Sequence, residues 1–407
     1  MGTPNTTTVV TADLAGLAYV SEGAAYGVEP ASPAYQNMRF LRHSLKESSE
    51  YERSKEMRGD RQVIDTKRVG LTAGGTVDVE LSANSHDNFM LAAIGASDCD
   101  FPANPSAVTM PGPGIQVAAD GTITGTNVAL GLDVGMFVKI GGLNAASNRT
   151  YRIIANASDN SFQVSPAPAG GAETDVTTAT VQPYAFMENG IETWSWSLLE
   201  DRGAQAASTA DRYSLGLGQI IGQWSMDAKV KSIITMAFEF SGRTFRSIAD
   251  IAAGATRVPA LETDVMGSVD EITGFLYGVD GAAADIPIES FTFSISNNLR
   301  ERLILGALGP DSIGQGKFSA SGSINAYFAN KTILSQFENA TDRIRAAFHV
   351  EDTAGNEYIF DFPRVKLTDG SASNEGENTD IMTNVTFDSL MDTDIDKTMR
   401  IHKLAAV

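Results

Sequence analysis

Residues 71–94, LTAGGTVDVELSANSHDNFMLAAI, change their apolar period midway, and that change constrains the chain more than any other feature. Val77, Val79 and Leu81 alternate with Asp78, Glu80 and Ser82, the period of a strand with one buried face. Ser85 stands where an N-cap belongs, and Asp87 falls in the first turn, where its charge complements the dipole. Phe89, Met90, Ala93 and Ile94 follow at helical spacing. A strand running straight into a helix is expected.

The same device returns at 316–338, GKFSASGSINAYFANKTILSQFE. Phe318, Ala320, Gly322, Ile324, Ala326 and Phe328 alternate with Ser319, Ser321, Ser323, Asn325 and Tyr327. Asn330 is placed to cap a short helix whose stripe is Ile333, Leu334 and Phe337. Each unit is preceded by a further strand and a long polar excursion: Tyr35–Lys46 before the first, Ile288–Asn297 before the second. The chain therefore reads as two tandem copies of one strand, long loop, strand, helix unit.

A chain of 407 residues has room for two or three domains, and an apolar content of 43 % is that of a folded protein. No apolar run approaches the length of a bilayer span, and MGTPNTTTVVTADL lacks the basic and apolar regions of a signal peptide. Its one cysteine, Cys99, excludes a disulfide framework within the chain. The formal net charge of -20 argues against a protein that grips nucleic acid through its phosphates.

Along the chain, Leu17–Val20 is a short strand candidate followed by an irregular Gly- and Pro-bearing arm. Residues 43–70 have no sustained apolar period and carry seven basic and six acidic residues, so the acidic excess lies elsewhere. Mixed charge over that length suits a loop ordered against a neighbouring subunit. Residues 100–115 form a Pro and Gly hinge, and 116–183 change to short strands with turn residues between them, an inserted all-β module. The first unit then resumes with an alternating 192–200, a short helix over 214–224 and an alternating 226–240. An acidic, Ala- and Gly-rich connector follows, and the second unit closes with a hairpin turning at Asp352–Asn356 and two final strands. The expected division is 1–102 and 187–250 for the first unit, 103–186 for the insert, 251–287 for the connector and 288–407 for the second unit.

No constellation of catalytic or metal-binding residues emerges. His43, His86, His349 and His402 sit in unrelated contexts, none spaced with another or with Cys99 as metal ligands. GPDSIGQGKF resembles a phosphate loop, but Phe318 stands where the Mg²⁺-binding hydroxyl belongs. The carboxylates of 392–396 lack the glycine and terminal glutamate of a Ca²⁺ loop. Trp194, Trp196 and Trp224 read as core or interface residues. Neither an enzyme nor a cofactor is expected.

Three segments together, AYVSEGAAYGVEPASPAYQNMRFLRHSL, EMRGDRQVIDTKRVG and GGTVDVELSANSHDNFMLAAIGA, resemble the tail tube proteins of long-tailed bacteriophages, and NEYIFDFPRVKL extends the likeness into the second unit. The resemblance implies a mainly β fold, duplicated in tandem, with one short helix per unit and sheets that join neighbouring sheets into a barrel around a channel. The insert resembles the decoration domains such tubes carry outside. The long loop, with Glu47, Glu50, Glu52, Arg53, Lys55, Glu56, Arg58, Asp60 and Arg61, would touch the adjacent ring. Asp78 and Glu80, pointing away from the core, would face the channel, although their counterparts Ser319, Ser321, Ser323 and Asn325 are uncharged.

What the family implies of partners is copies of the same chain, tail tip and terminator proteins, a tape measure protein in the lumen, and DNA that passes without specific binding. The chain would be assembled in the host cytoplasm and reside in the virion. Two units per chain favour three chains per ring over six. The competing readings are another β-rich component, such as a decoration or terminator protein, and a carbohydrate-binding or hydrolytic tail component.

Overall fold

The computed structural model describes residues 15–406 except 24, 58, 61, 110–113, 130, 204–211, 270, 280–283, 328–331, 340–342 and 374–379. The fold is mainly β, with one short helix in each half among the described residues. The first half contributes β1 (Gly16–Ser21), β2 (Ala34–Met38), β3 (Arg42–His43), β4 (Lys46–Arg53), β5 (Thr66–Glu80), α1 (Asp87–Ala93), β6 (Trp196–Asp201), β7 (Tyr213–Lys229), β8 (Thr235–Gly242) and β9 (Thr244–Ile248). The second contributes β10 (Ile272–Val279), β11 (Ile288–Ser296), β12 (Ser319–Tyr327), α2 (Thr332–Glu338), β13 (Ile344–Glu351), β14 (Glu357–Ser373), β15 (Met382–Ser389) and β16 (Arg400–Leu404).

The pairings of the two halves repeat. In the first, the antiparallel order is β1–β6–β7–β8–β5, with β3 and β4 on the outer side of β5. In the second it is β10–β13–β14–β15–β12–β11. Even the extra strand recurs: β9 pairs with the start of β7, and β16 with the start of β14. The halves are sewn together where the end of β7 meets β11, from Gln223↔Ser296 to Lys229↔Ser290. One apolar core underlies both, and Trp224 of β7 lies against Phe293 of β11 at 5.0 Å and Phe360 of β14 at 5.9 Å.

Alternation explains the strand that opens the first repeat. Val77, Val79 and Leu81 are fully buried, and helix α1 covers the same core with Phe89, Met90, Ala93 and Ile94. Ser85 does not cap that helix: the N-cap is His86, and the Ser85 hydroxyl is drawn instead to Thr263 at 3.2 Å and to Arg39. Asp87 is in the first turn as expected, but it is buried. At Gly74 and Gly75 the strand passes from its pairing with β8 to its pairing with β4. Gly74 has φ 150°, and a Cβ there would stand 2.1 Å from the Phe240 carbonyl oxygen, so a side chain would break the sheet at its bend.

Several local expectations fail for identifiable reasons. Residues 43–70 are not an unstructured loop; β4 pairs with β5 from Lys46↔Gly74 to Arg53↔Thr66. Both faces of this arm are largely exposed, so no apolar period marks it, and the backbone ladder is its main support. Residues 214–224 are strand, not helix, because Gly216, Gly218 and Gly222 interrupt a run that is buried on both faces and so shows no alternation. The acidic stretch 251–287 contains β10, which occupies in the second repeat the place of β1 in the first. Its glycines, Gly274 and Gly278, hide the period. Asn330 lies outside the described residues, whereas α2 and the Asp352–Asn356 turn stand as read.

Between α1 and β6 the chain builds a separate eight-stranded sheet, from Val108–Thr109 to Thr180–Pro183, around Ile115, Ile123, Val138, Ile140, Tyr151, Ile153, Phe162 and Val164. This sheet leaves the first repeat but rests on the second. Lys139 donates to Glu357 and Tyr184 donates its hydroxyl to the same carboxylate. Arg152 donates to Asp361 at 2.7 Å, with both side chains buried.

Candidate assembly surfaces

Three surfaces follow from the repeated pairing: a polar sheet face, two arms at one end of the sheet, and two strand edges beyond which no further strand lies among the described residues.

The polar face is the side of the central strands turned away from the core. Asp78 and Glu80 lie on it, half-buried, with Asp78 held by Arg42 of β3. Asp227, Thr292, Ser294, Ser321, Ser323, Thr386 and Asp388 continue it around a shallow concavity of about 850 Å³. The first repeat brings carboxylates to this face and the second mostly hydroxyls, as Ser321 and Ser323 opposite Thr292 and Ser294 show. Such a surface offers little for a phosphate backbone to bind.

The arms project from the other end of β5. In the β4–β5 arm, Glu47 accepts from Arg68 at 3.2 Å and Glu52 pairs with Lys55 at 3.0 Å. Glu50, Arg53, Glu56 and Asp60 are exposed, while Arg58 and Arg61 lie outside the described residues. Met57, Val63 and Ile64 are also exposed on the arm, 99 % in the case of Met57, and the charge-rich sequence gave them no prominence. The second repeat has its own excursion at the equivalent place, a small hairpin of Arg300–Arg302 with Ser312–Gly314.

The edges complete the set. In the first repeat the end of β7 offers an edge to β11. The equivalent stretch of β14, residues 366–373, pairs with β15 on one side and has no strand on the other among the described residues. Conversely, β11 receives β7, whereas the equivalent outer edge of β3 and β4 has no strand beyond it among the described residues. One chain thus carries, at its two extremities, both halves of the joint that it makes internally. Unpaired edges of this kind template further strands.

The buried ionic groups belong to the fold. Burial pushes Glu357 up, but hydrogen bonds from His349, Lys139 and Tyr184 outweigh it and hold the carboxyl below its ordinary range. His402 is neutral, driven far down by burial and by Arg400 and Arg152. Burial, with Arg39 nearby, lowers His86 to about 4. His43 lies 3.8 Å from Glu200. Asp392 is buried beside Arg345. No group of three or more His, Cys, Asp or Glu side chains arranged to hold a metal occurs among the described residues. Trp196 and Trp224 are buried, and Trp194 is half-buried with its indole donating to the Ala96 carbonyl at 3.0 Å.

A family model described as phage tail tube protein matches residues 12–389. No curated protein matches the chain.

Proposed function

The chain belongs to the phage tail tube family and is a structural component of a virion tail, and we propose that it self-assembles into stacked rings whose lumen conducts DNA. The observation that carries this reading is the internal β7–β11 joint between two equivalently paired repeats, with the same two edges, at the extremities of the sheet, meeting no further strand among the described residues. Pairing the 366–373 edge of β14 with β3 and β4 of the next copy would reproduce that joint between chains. Such a contact is heterologous, so it closes only as a ring. Three chains bring six repeats, which favours a trimeric, pseudo-sixfold ring over a hexamer. Closure covers both of these edges.

In this ring the polar face with Asp78 and Glu80 lines the channel, and an uncommitted, partly acidic wall lets DNA slide. Residues 103–186 then form an outer module on every second repeat. The charged arm, Arg58 and Arg61 included, reaches a neighbouring ring. Assembly takes place in the host cytoplasm, with tip, terminator and tape measure proteins as partners. Negative-stain electron microscopy of concentrated protein tests the reading. Hollow tubes with threefold modulated sixfold end-on views are expected; plain sixfold views would discard the trimer, and a particle that never polymerises would discard the tube.

A further inference from the structure

The hairpin of Arg300–Arg302 and Ser312–Gly314 ends in a continuous apolar tip, LILGAL, whereas the exposed apolar residues of the first-repeat arm, Met57, Val63 and Ile64, are scattered among charges. Leu303 is 69 % exposed, Ile304 54 %, Leu305 105 % and Leu308 45 %. The tip is an ordered turn, with the Ala307 amide donating to the Ile304 carbonyl at 3.3 Å and the Asp311 amide donating to the Arg302 carbonyl at 3.0 Å. Its base lies close to the first repeat: a Cβ at Gly309 would stand 2.9 Å from the Arg243 carbonyl oxygen and 3.3 Å from Leu71. Burying these side chains against protein is favourable, and a cluster of this size marks a contact site.

The strand registers show where the complementary surface lies. Ser296, where β11 leads into the tip, pairs with Gln223 and Ser319, whereas Ser290 at its other end pairs with Lys229. Directly beyond Lys229 come Val230 and Ile233, 46 % and 42 % exposed. Val269, 62 % exposed, joins them through the Ile233↔Gly267 bridge and the Ser268 amide, which donates to Ser232. The apolar tip and this apolar patch therefore occupy opposite ends of one sheet, about 20 Å of strand apart. One molecule cannot bring them together, but two molecules stacked in the same direction can.

We propose that the Leu303–Leu308 tip is an axial knob that packs on the Val230, Ile233 and Val269 patch of a second copy of this chain in the adjoining ring. The proposal rests on the ring assembly reading above. A partner found only at a tube's end would cover the tip on a single ring, whereas another copy is supplied in the same number as the tips. A knob at one end and its receptor at the other is heterologous along the axis, so the contact propagates instead of closing.

Two variants test it. Ile304→Glu with Leu305→Glu changes only exposed side chains, so folding and lateral ring formation are retained while tube length falls at least tenfold by electron microscopy and sedimentation. In the second, Leu305→Cys with Val269→Cys, oxidation of assembled protein yields a ladder of covalent multimers under non-reducing electrophoresis, absent from either single variant; the native Cys99 is buried. Tubes of native length from the glutamate variant, or no ladder from the cysteine pair, would overturn the knob while leaving assembly standing. Loss of the rings themselves would place the tip in the lateral joint and equally overturn it. If the native chain never associates, the assembly reading falls, and the knob with it.

Discussion

Lys403, on the last strand, donates to Asp87, in the first turn of the first helix, across 316 residues of sequence. Tyr358 donates its hydroxyl to the same carboxylate at 2.5 Å, and the Lys403 ammonium lies 5.2 Å from the ring centre of Phe101. The C-terminal strand is thereby tied to the helix of the opposite repeat. Asp87→Ala leaves a buried ammonium without its counter-charge, with only Asn84 still accepting from it, and a buried phenol without its acceptor, a loss of about 3 kcal/mol. Denaturant unfolding should show the midpoint falling with an unchanged slope.

The inserted sheet is held to the second repeat by Arg152 and Asp361, both buried. Removing the carboxylate with Asp361→Ala deprives the guanidinium of its counter-charge at a cost of about 3 kcal/mol. The prediction is a selective loosening: limited proteolysis should cut the 101–107 hinge earlier than in the native protein, before the repeats themselves are cleaved.

His86 gives the fold an acid-sensitive component. Its value is lowered to about 4 in the folded chain from 6.5, so the unfolded chain takes up the proton first. Stability is therefore full above about pH 6.5 and declines as pH falls towards 4, by about 2 kcal/mol at pH 5. His402 acts in the same direction. Thermal melts at pH 7 and pH 5 should diverge less for His86→Asn than for the native chain; equal divergence would assign the acid sensitivity to other groups.

Arg53 and Lys55 are exposed on an arm that the core does not touch. Reversing both to Glu should leave unfolding within about 0.5 kcal/mol of native. If the arm makes axial contacts, tube yield nevertheless falls, and the defect deepens at low ionic strength, where like charges are least screened.

Much of the fold could be read from the sequence because one-sided burial leaves a period behind. Val77, Val79 and Leu81 announced β5, and Ala320, Ile324 and Ala326 announced its counterpart β12. Where both faces are alike, nothing is written. Leu215, Ile220 and Ile221 in β7 are buried in a strand covered on both sides, and the charged residues of β4 lie in one exposed on both. The candidate assembly surfaces were legible only as charge. Exposed Met57 and Leu305 look like core residues until the structure shows that nothing covers them. Free edges leave no trace in sequence, being a property of what fails to pair.

The seam between β7 and β11 forms within a single polypeptide, so its strength does not depend on protein concentration. Separate chains making the same joint would surrender translational and rotational freedom each time, whereas here that cost is met once, when the chain folds. Dilution that parts one molecule from the next leaves this seam intact. Nor are the two repeats interchangeable: because each holds a fixed place beside the other, one can acquire a bulky appendage and carboxylates while its twin keeps hydroxyls and has no such insert in its sequence. Fusion thus turns a symmetric pair into two positions that are free to diverge.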